Sequence, residues 1–284
     1  MSILFGPAGN SDSFYEQGYK SSVEMPKWLR NMGLDAYEYS FSRGVNITQA
    51  TAEKIRDQCE EHNISLSLHA PYYINLASPD DNKIKKTKWY LMSTLEAAKW
   101  MGASKIVFHP GSRGDQPREQ AFSRAKSVFR EIIQEKNNKG FDNIYLCPET
   151  MGKKNQLGTL DEILELCRED DKVIPTVDFG HIHALGRGAL NTADDFEDII
   201  KRIRDELGEQ SLKNLHCHFS RIEYTQAGER KHWTYGHTQY GPDFEPLVAV
   251  LHKYEVGGTV ICESRGTMAE DALKLKTIYL EIKK

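Results

Sequence analysis

The run Ile64-Ser65-Leu66-Ser67-Leu68 stops on His69, and this arrangement of a short apolar segment ending in a metal-type side chain returns along the chain. His109 follows 106–108, Glu149 follows 144–148, and Asp178 with His181 follows 173–177. His216 and His218 lie in the run that begins at Leu215, and Glu263 follows 259–262. Two earlier segments, 2–6 and 36–39, read as strands without so clear a ligand. Between these segments lie amphipathic stretches at 50–62, 86–101, 120–136, 159–168, 192–207 and 244–254. Within 120–136 the positions Phe122, Ala125, Val128, Phe129, Ile132 and Ile133 follow a three-four spacing, which marks one buried helix face. Thr192 with Asp195 has the spacing of a helix-capping box. Strand and helix alternate about eight times, a pattern that predicts a parallel sheet with right-handed crossovers. Closure into a single-domain (β/α)8 TIM barrel over residues 1–284 fits this repeat number, and all strand C-termini then face one rim.

Bulk properties narrow the function. At 284 residues the chain can bury the core of one such barrel, and 39% hydrophobic with 27% charged residues is ordinary for a globular protein. No N-terminal stretch reads as a signal peptide, and no apolar run reaches the ~18 residues that span a bilayer. The five cysteines include no C-x-x-C pair, so free thiols in a reduced, cytoplasmic setting are expected. The formal charge of −4 gives no whole-molecule attraction for nucleic acid, although bound cations would reverse the local field at a carboxylate cluster. One compact domain with an acidic surface is expected to be monomeric and not membrane-bound.

The strand ends carry the chemistry. One divalent ion takes about three to six protein ligands. His69, His109, Glu149, Asp178, His216 or His218, and Glu263 converge from six consecutive strands, enough for more than one ion. Imidazole with carboxylate suits zinc, manganese or iron. The stretch 221–243 lacks clear periodicity and holds His232 and His237, so a functional loop is expected there. His62 and His252 read as solvated, and His183 as a residue that orients a ligand imidazole.

These residues resemble a family. His69-Ala70-Pro71-Tyr72-Tyr73-Ile74-Asn75-Leu76 is similar to the third-strand signature of the endonuclease IV family of apurinic/apyrimidinic endonucleases. Phe108-His109-Pro110-Gly111-Ser112 resembles its fourth, and Glu149-Thr150-Met151-Gly152 its fifth. Asp178-Phe179-Gly180-His181 keeps its Asp-x-x-His spacing, His232 with Gly236 and Gly241 is similar to its late histidine pattern, and Glu263 stands where the last ligand belongs. The resemblance implies a DNA-repair hydrolase that cuts damaged double-stranded DNA 5′ to an abasic site with a zinc-activated hydroxide. It implies two to three zinc ions, with manganese or iron(II) as alternatives. His69, His109 and Glu149 would hold one ion, and Glu149, as catalytic bridge, would share a second with Asp178, Glu263 and a seventh-strand histidine. His181 and His232 would hold the third. Both His216 and His218 can point inward, and the apolar residue after His218 favours that one. Tyr72 and Tyr73 would contact DNA at the lesion. Where the family has an aspartate two residues before its late histidine, this chain has Arg230, expected to bind a substrate phosphate, with Glu229 one residue earlier. The competing reading is a xylose-isomerase-like sugar isomerase or epimerase with one or two metals, which needs fewer histidines.

Overall fold

A computed structural model describes residues 3–282. Ser2, which opens the first expected strand, lies outside them. The strands are β1 (Ile3–Pro7), β2 (Ala36–Ser40), β3 (Ser65–His69), β4 (Lys105–Phe108), β5 (Tyr145–Pro148), β6 (Thr176–Asp178), β7 (Leu215–Phe219), β8 (Arg221–Thr225), β9 (Gly228–Trp233) and β10 (Gly258–Cys262). Parallel pairing runs β1-β10-β7-β6 in one four-stranded sheet and β2-β3-β4-β5 in another. Parallel bridges close both seams into one barrel: Ala8 with Glu38 between β1 and β2, and Glu149 with Thr176 between β5 and β6. The expected TIM barrel is therefore present, with helices following the barrel strands.

The long helix after β4, Arg118–Asn138, buries Ala125, Val128, Phe129, Ile132 and Ile133 as the spacing predicts, but Ala121 is buried at its start and Phe122 only partly. It starts directly after Pro117, which lacks the N–H that a preceding turn would use. Two barrel helices, Met25–Met32 and Met268–Ile282, went unrecognised in the sequence. The stretch 221–243 is also more ordered than its pattern implied, because β8 and β9 form an antiparallel hairpin. Its second strand, Gly228–Trp233, is polar almost throughout and the register is interrupted, so no sustained period-two alternation marks the hairpin. All five cysteines are free and buried, and no described helix is long and apolar enough to cross a membrane.

The β1–β2 seam depends on a glycine. A Cβ on Gly6 would lie 1.9 Å from the carbonyl oxygen of Ala36, where backbone leaves no room to yield. Gly6→Ala should cost about 3 kcal/mol, the upper end for overpacking, read as a lower midpoint in urea unfolding. An unchanged midpoint would mean that the seam tolerates separation.

Candidate metal centre

The C-terminal ends of the barrel strands, the helix after β6 and the β8–β9 hairpin bring four carboxylates and five imidazoles together. Glu149, immediately after β5, is fully buried at their middle. Its Oε2 lies 3.2 Å from His69 Nε2 and 3.1 Å from His109 Nε2. Its Oε1 lies 3.2 Å from His181 Nδ1 and 3.4 Å from His218 Nδ1. A carboxylate that offers both oxygens to separate imidazole pairs has the arrangement of a bridging ligand. Glu263 Oε1 sits 3.3 Å from His218 Nδ1. Asp178 uses Oδ1 to accept the His181 N–H at 2.7 Å, which caps the helix Phe179–Leu185 and leaves Oδ2 free.

Three sets of ligand atoms at the rim each fall within 4.8 Å of one another: His69, His109 and Glu149; Glu149, Asp178, His218 and Glu263; and His181, His232 and Glu263. The rings are also held in place. His69 Nδ1 donates to Ala70 O at 2.8 Å, and His181 Nδ1 is 2.9 Å from Thr150 O. His232 Nδ1 pairs with Ser220 Oγ at 2.8 Å. Each leaves Nε2 facing the cluster, the way proteins set the tautomer of metal-binding histidines. Buried Glu149 Oε1, Asp178 Oδ2 and His218 Nδ1 have no hydrogen-bond partner. Buried polar atoms are normally satisfied; all three belong to the Glu149, Asp178, His218 and Glu263 set, and a divalent cation there would satisfy them, so these residues fit a metal.

Electrostatics agree. Burial, the largest influence on each group, pushes the Asp178 carboxyl up. At Glu149 the neighbouring His109 and His218 outweigh burial and hold the carboxyl well below its usual range. Glu263 and Glu229 are likewise held at about 2 against burial, the first chiefly by His218 and the second by His232 and His181. His69 rises to about 9 because Glu149 overcomes the burial that would lower it. Positive charge is what this cluster of acids is built to receive.

The hairpin replaces the expected Arg230. Glu223 pairs with Lys231 and Tyr224 with Glu229, so Arg230 is the extra residue of a β-bulge. The bulge turns the Arg230 side chain outward, 67% exposed and paired with Glu223. It turns Glu229 inward, 12% exposed, with its carboxylate 3.5 Å from His181 Nε2 and 3.7 Å from His232 Nε2. Gly152 makes room: a Cβ there would lie 2.7 Å from Glu229 Cβ and 3.1 Å from the His181 ring. The Glu229 N–H donates to Gly152 O at 2.9 Å, which fixes the hairpin against this loop.

The seventh-strand alternatives are separated by depth. His218 meets Glu149 and Glu263, whereas His216, two residues earlier on the same face, lies a layer below and bonds Glu38 at 2.9 Å. Glu38, which the sequence reading missed, is a fully buried carboxylate at the centre of β2. Its signal was a lone acid between Tyr37 and Tyr39 in a strand-like segment. Tyr72 lies over the site, its ring 5.5 Å from His69 and 5.4 Å from His109, and is 56% exposed. Tyr73 is also exposed but leans toward Tyr90. His183 does not orient a rim imidazole; it accepts the Leu190 N–H at 3.1 Å. His252 is not free in solvent either, because it stacks on Tyr279 at 4.3 Å. The mouth is a cavity of about 450 Å³, with Lys153, Lys231 and Arg265 among its lining residues.

A parallel barrel with such a rim defines a class of metal-type (β/α)8 proteins. Residues 26–278 match the xylose isomerase-like TIM barrel family, and the chain belongs to it. An uncharacterised protein of Methanocaldococcus jannaschii is 32% identical over 280 residues, 99% of this chain and 98% of that one. A probable endonuclease 4 of Ureaplasma urealyticum is 29% identical over 199 residues, 68% of this chain and 63% of that relative. Among solved structures, a D-tagatose 3-epimerase-like protein superposes with a TM-score of 0.75 at 19% identity, covering 99% of this chain and 98% of that one. Endonuclease IV from Thermus thermophilus superposes with a TM-score of 0.70 at 18% identity, covering 98% of both chains. At such identities the two structures establish the fold alone.

Proposed function

We propose that this protein is a divalent-metal phosphodiesterase that cuts damaged double-stranded DNA on the 5′ side of an abasic site. The observation that carries the reading is the number and grouping of the ligands: three sets of rim residues share Glu149 or Glu263. Moving a proton between sugar carbons requires a base and one or two ions, whereas a phosphodiester in transit carries charge on attacking, leaving and non-bridging oxygens together. His69, His109 and Glu149 would hold one ion, and Glu149, Asp178, His218 and Glu263 a second. His181, His232 and Glu263 would hold a third, with Glu229, 3.5 Å from His181 Nε2 and 3.7 Å from His232 Nε2, as a further carboxylate for the same ion. Zinc is the ion this donor set favours, with manganese or iron(II) next. Such ions, when bound, lower the pKa of water to near neutrality and offset charge on phosphate.

The chain's own residues do the rest. Glu149 keeps two ligand groups in fixed relation. Lys153 and Lys231 line the mouth where phosphates flanking the cut would lie. Tyr72, exposed above His69 and His109, would act as an aromatic wedge against an unstacked base step. The free, buried thiols fit a reducing cytoplasm.

The sugar-epimerase reading has one observation in its favour, the cavity of about 450 Å³, which would enclose a monosaccharide. One experiment separates the two. Protein reconstituted with Zn2+ or Mn2+ is incubated with an abasic duplex, the same duplex intact, and a ketohexose. Nicking confined to the abasic strand, leaving a 3′ hydroxyl, is expected. At most one ion per chain with no nick under any divalent metal, or epimerisation of the ketose, would overturn the nuclease reading.

A further inference from the structure

Glu38 belongs to none of the three rim groups; fully buried inside the barrel on β2, it forms with His216 and His218 a fourth set of ligand-type atoms within 4.8 Å of one another. Its Oε2 accepts from Ser67 Oγ at 2.8 Å, the residue paired with it on β3, and from His216 Nε2 at 2.9 Å. Its Oε1 lies 2.9 Å from Nε2 of His218 as a close charge contact outside hydrogen-bond geometry, and the other ring nitrogen of His218 faces Glu149 and Glu263.

We propose that Glu38 is a positioning residue for the metal centre, holding His218 by Nε2 so that Nδ1 is presented to the ion shared with Glu149 and Glu263. Stability does not account for such a residue. Barrel interiors are ordinarily filled with branched apolar side chains, and replacing buried ion pairs with apolar groups is often neutral or stabilising. Orientation does account for it. A carboxylate on the far nitrogen of a ligand histidine fixes the ring and raises its basicity. His69 and His181 rest on backbone carbonyls and His232 on a hydroxyl. Among these rim imidazoles His218 is the one with a carboxylate against its far nitrogen, and it is also the one whose near nitrogen meets two shared acids. Ser67 and His216 then act together. They pin the second oxygen of Glu38 from β3 and β7, so that the first cannot swing away from His218.

The inference rests on the metal-centre reading above and is independent of which substrate is cut. The test is titration of the metal-stripped protein with Co2+ and Zn2+ against a competing chelator, wild type beside Glu38→Gln and His216→Gln. Glu38→Gln should weaken one equivalent by about 10–100-fold and alter its Co2+ visible spectrum, leaving the remaining equivalents unchanged. His216→Gln should produce a smaller shift in the same equivalent. Identical affinities and spectra for Glu38→Gln and wild type would overturn the role of Glu38 alone. Failure of wild type to bind any ion would overturn the metal centre with it. Should Glu38→Gln not fold, 15N spectra of the zinc-loaded wild type decide: a proton on His218 Nε2 with metal on Nδ1 is expected, and the reverse pattern overturns the proposal.

Discussion

Glu149→Gln should lower kcat on an abasic duplex by at least about 100-fold, the most that loss of an outer-shell partner alone ordinarily costs. The side chain is fully buried and its two oxygens stand 3.1–3.4 Å from four imidazole nitrogens. Glutamine keeps the shape but replaces one oxygen with an amide nitrogen that does not ligate zinc. Whichever side that nitrogen faces, one of the two ligand groups sharing Glu149 loses an oxygen. Elemental analysis should therefore register lost metal in parallel with lost turnover, while far-UV circular dichroism stays that of the wild type. A variant that retains both its metal and a kcat within tenfold of wild type would remove Glu149 from the bridge.

The second large effect is expected at the hairpin, and it separates two adjacent residues. Glu229→Ala should abolish the affinity of the ion held with His181 and His232 and reduce turnover by about 100-fold. Arg230→Ala should leave both within about twofold, since exposed ion pairs contribute little. The contrast follows from the β-bulge: Glu229 faces His181 and His232, whereas Arg230 projects outward to Glu223. Gly152→Ala offers an independent probe, because its Cβ would collide with Glu229 and the His181 ring without altering any ligand. It should reproduce much of the Glu229→Ala loss. Metal content and kinetics of the three variants check the assignment, and the reverse order, with Arg230→Ala the more damaging, would return Arg230 to the substrate.

Much of this protein was written in one dimension. Where β3, β4, β5 and β6 end, the residue at or just beyond the last apolar position is His69, His109, Glu149 or Asp178, and parallel strands in a closed barrel must deliver such residues to one rim. Sequence therefore determined the barrel, the rim and most of the residues gathered there, because strand period and chain direction are local properties. It did not determine depth or register. His216 and His218 share a face, and only packing against Glu38 from the opposite side of the barrel assigns one to the rim and the other to the interior. Glu38 was hidden for the same reason, since its partners stand 29, 178 and 180 positions away in the chain. Which of Glu229 and Arg230 faces the site was likewise settled by a single unpaired residue in the hairpin. A bulge reverses the inward and outward sense of every side chain beyond it, and that reversal comes from pairing between strands, which the order of residues does not state.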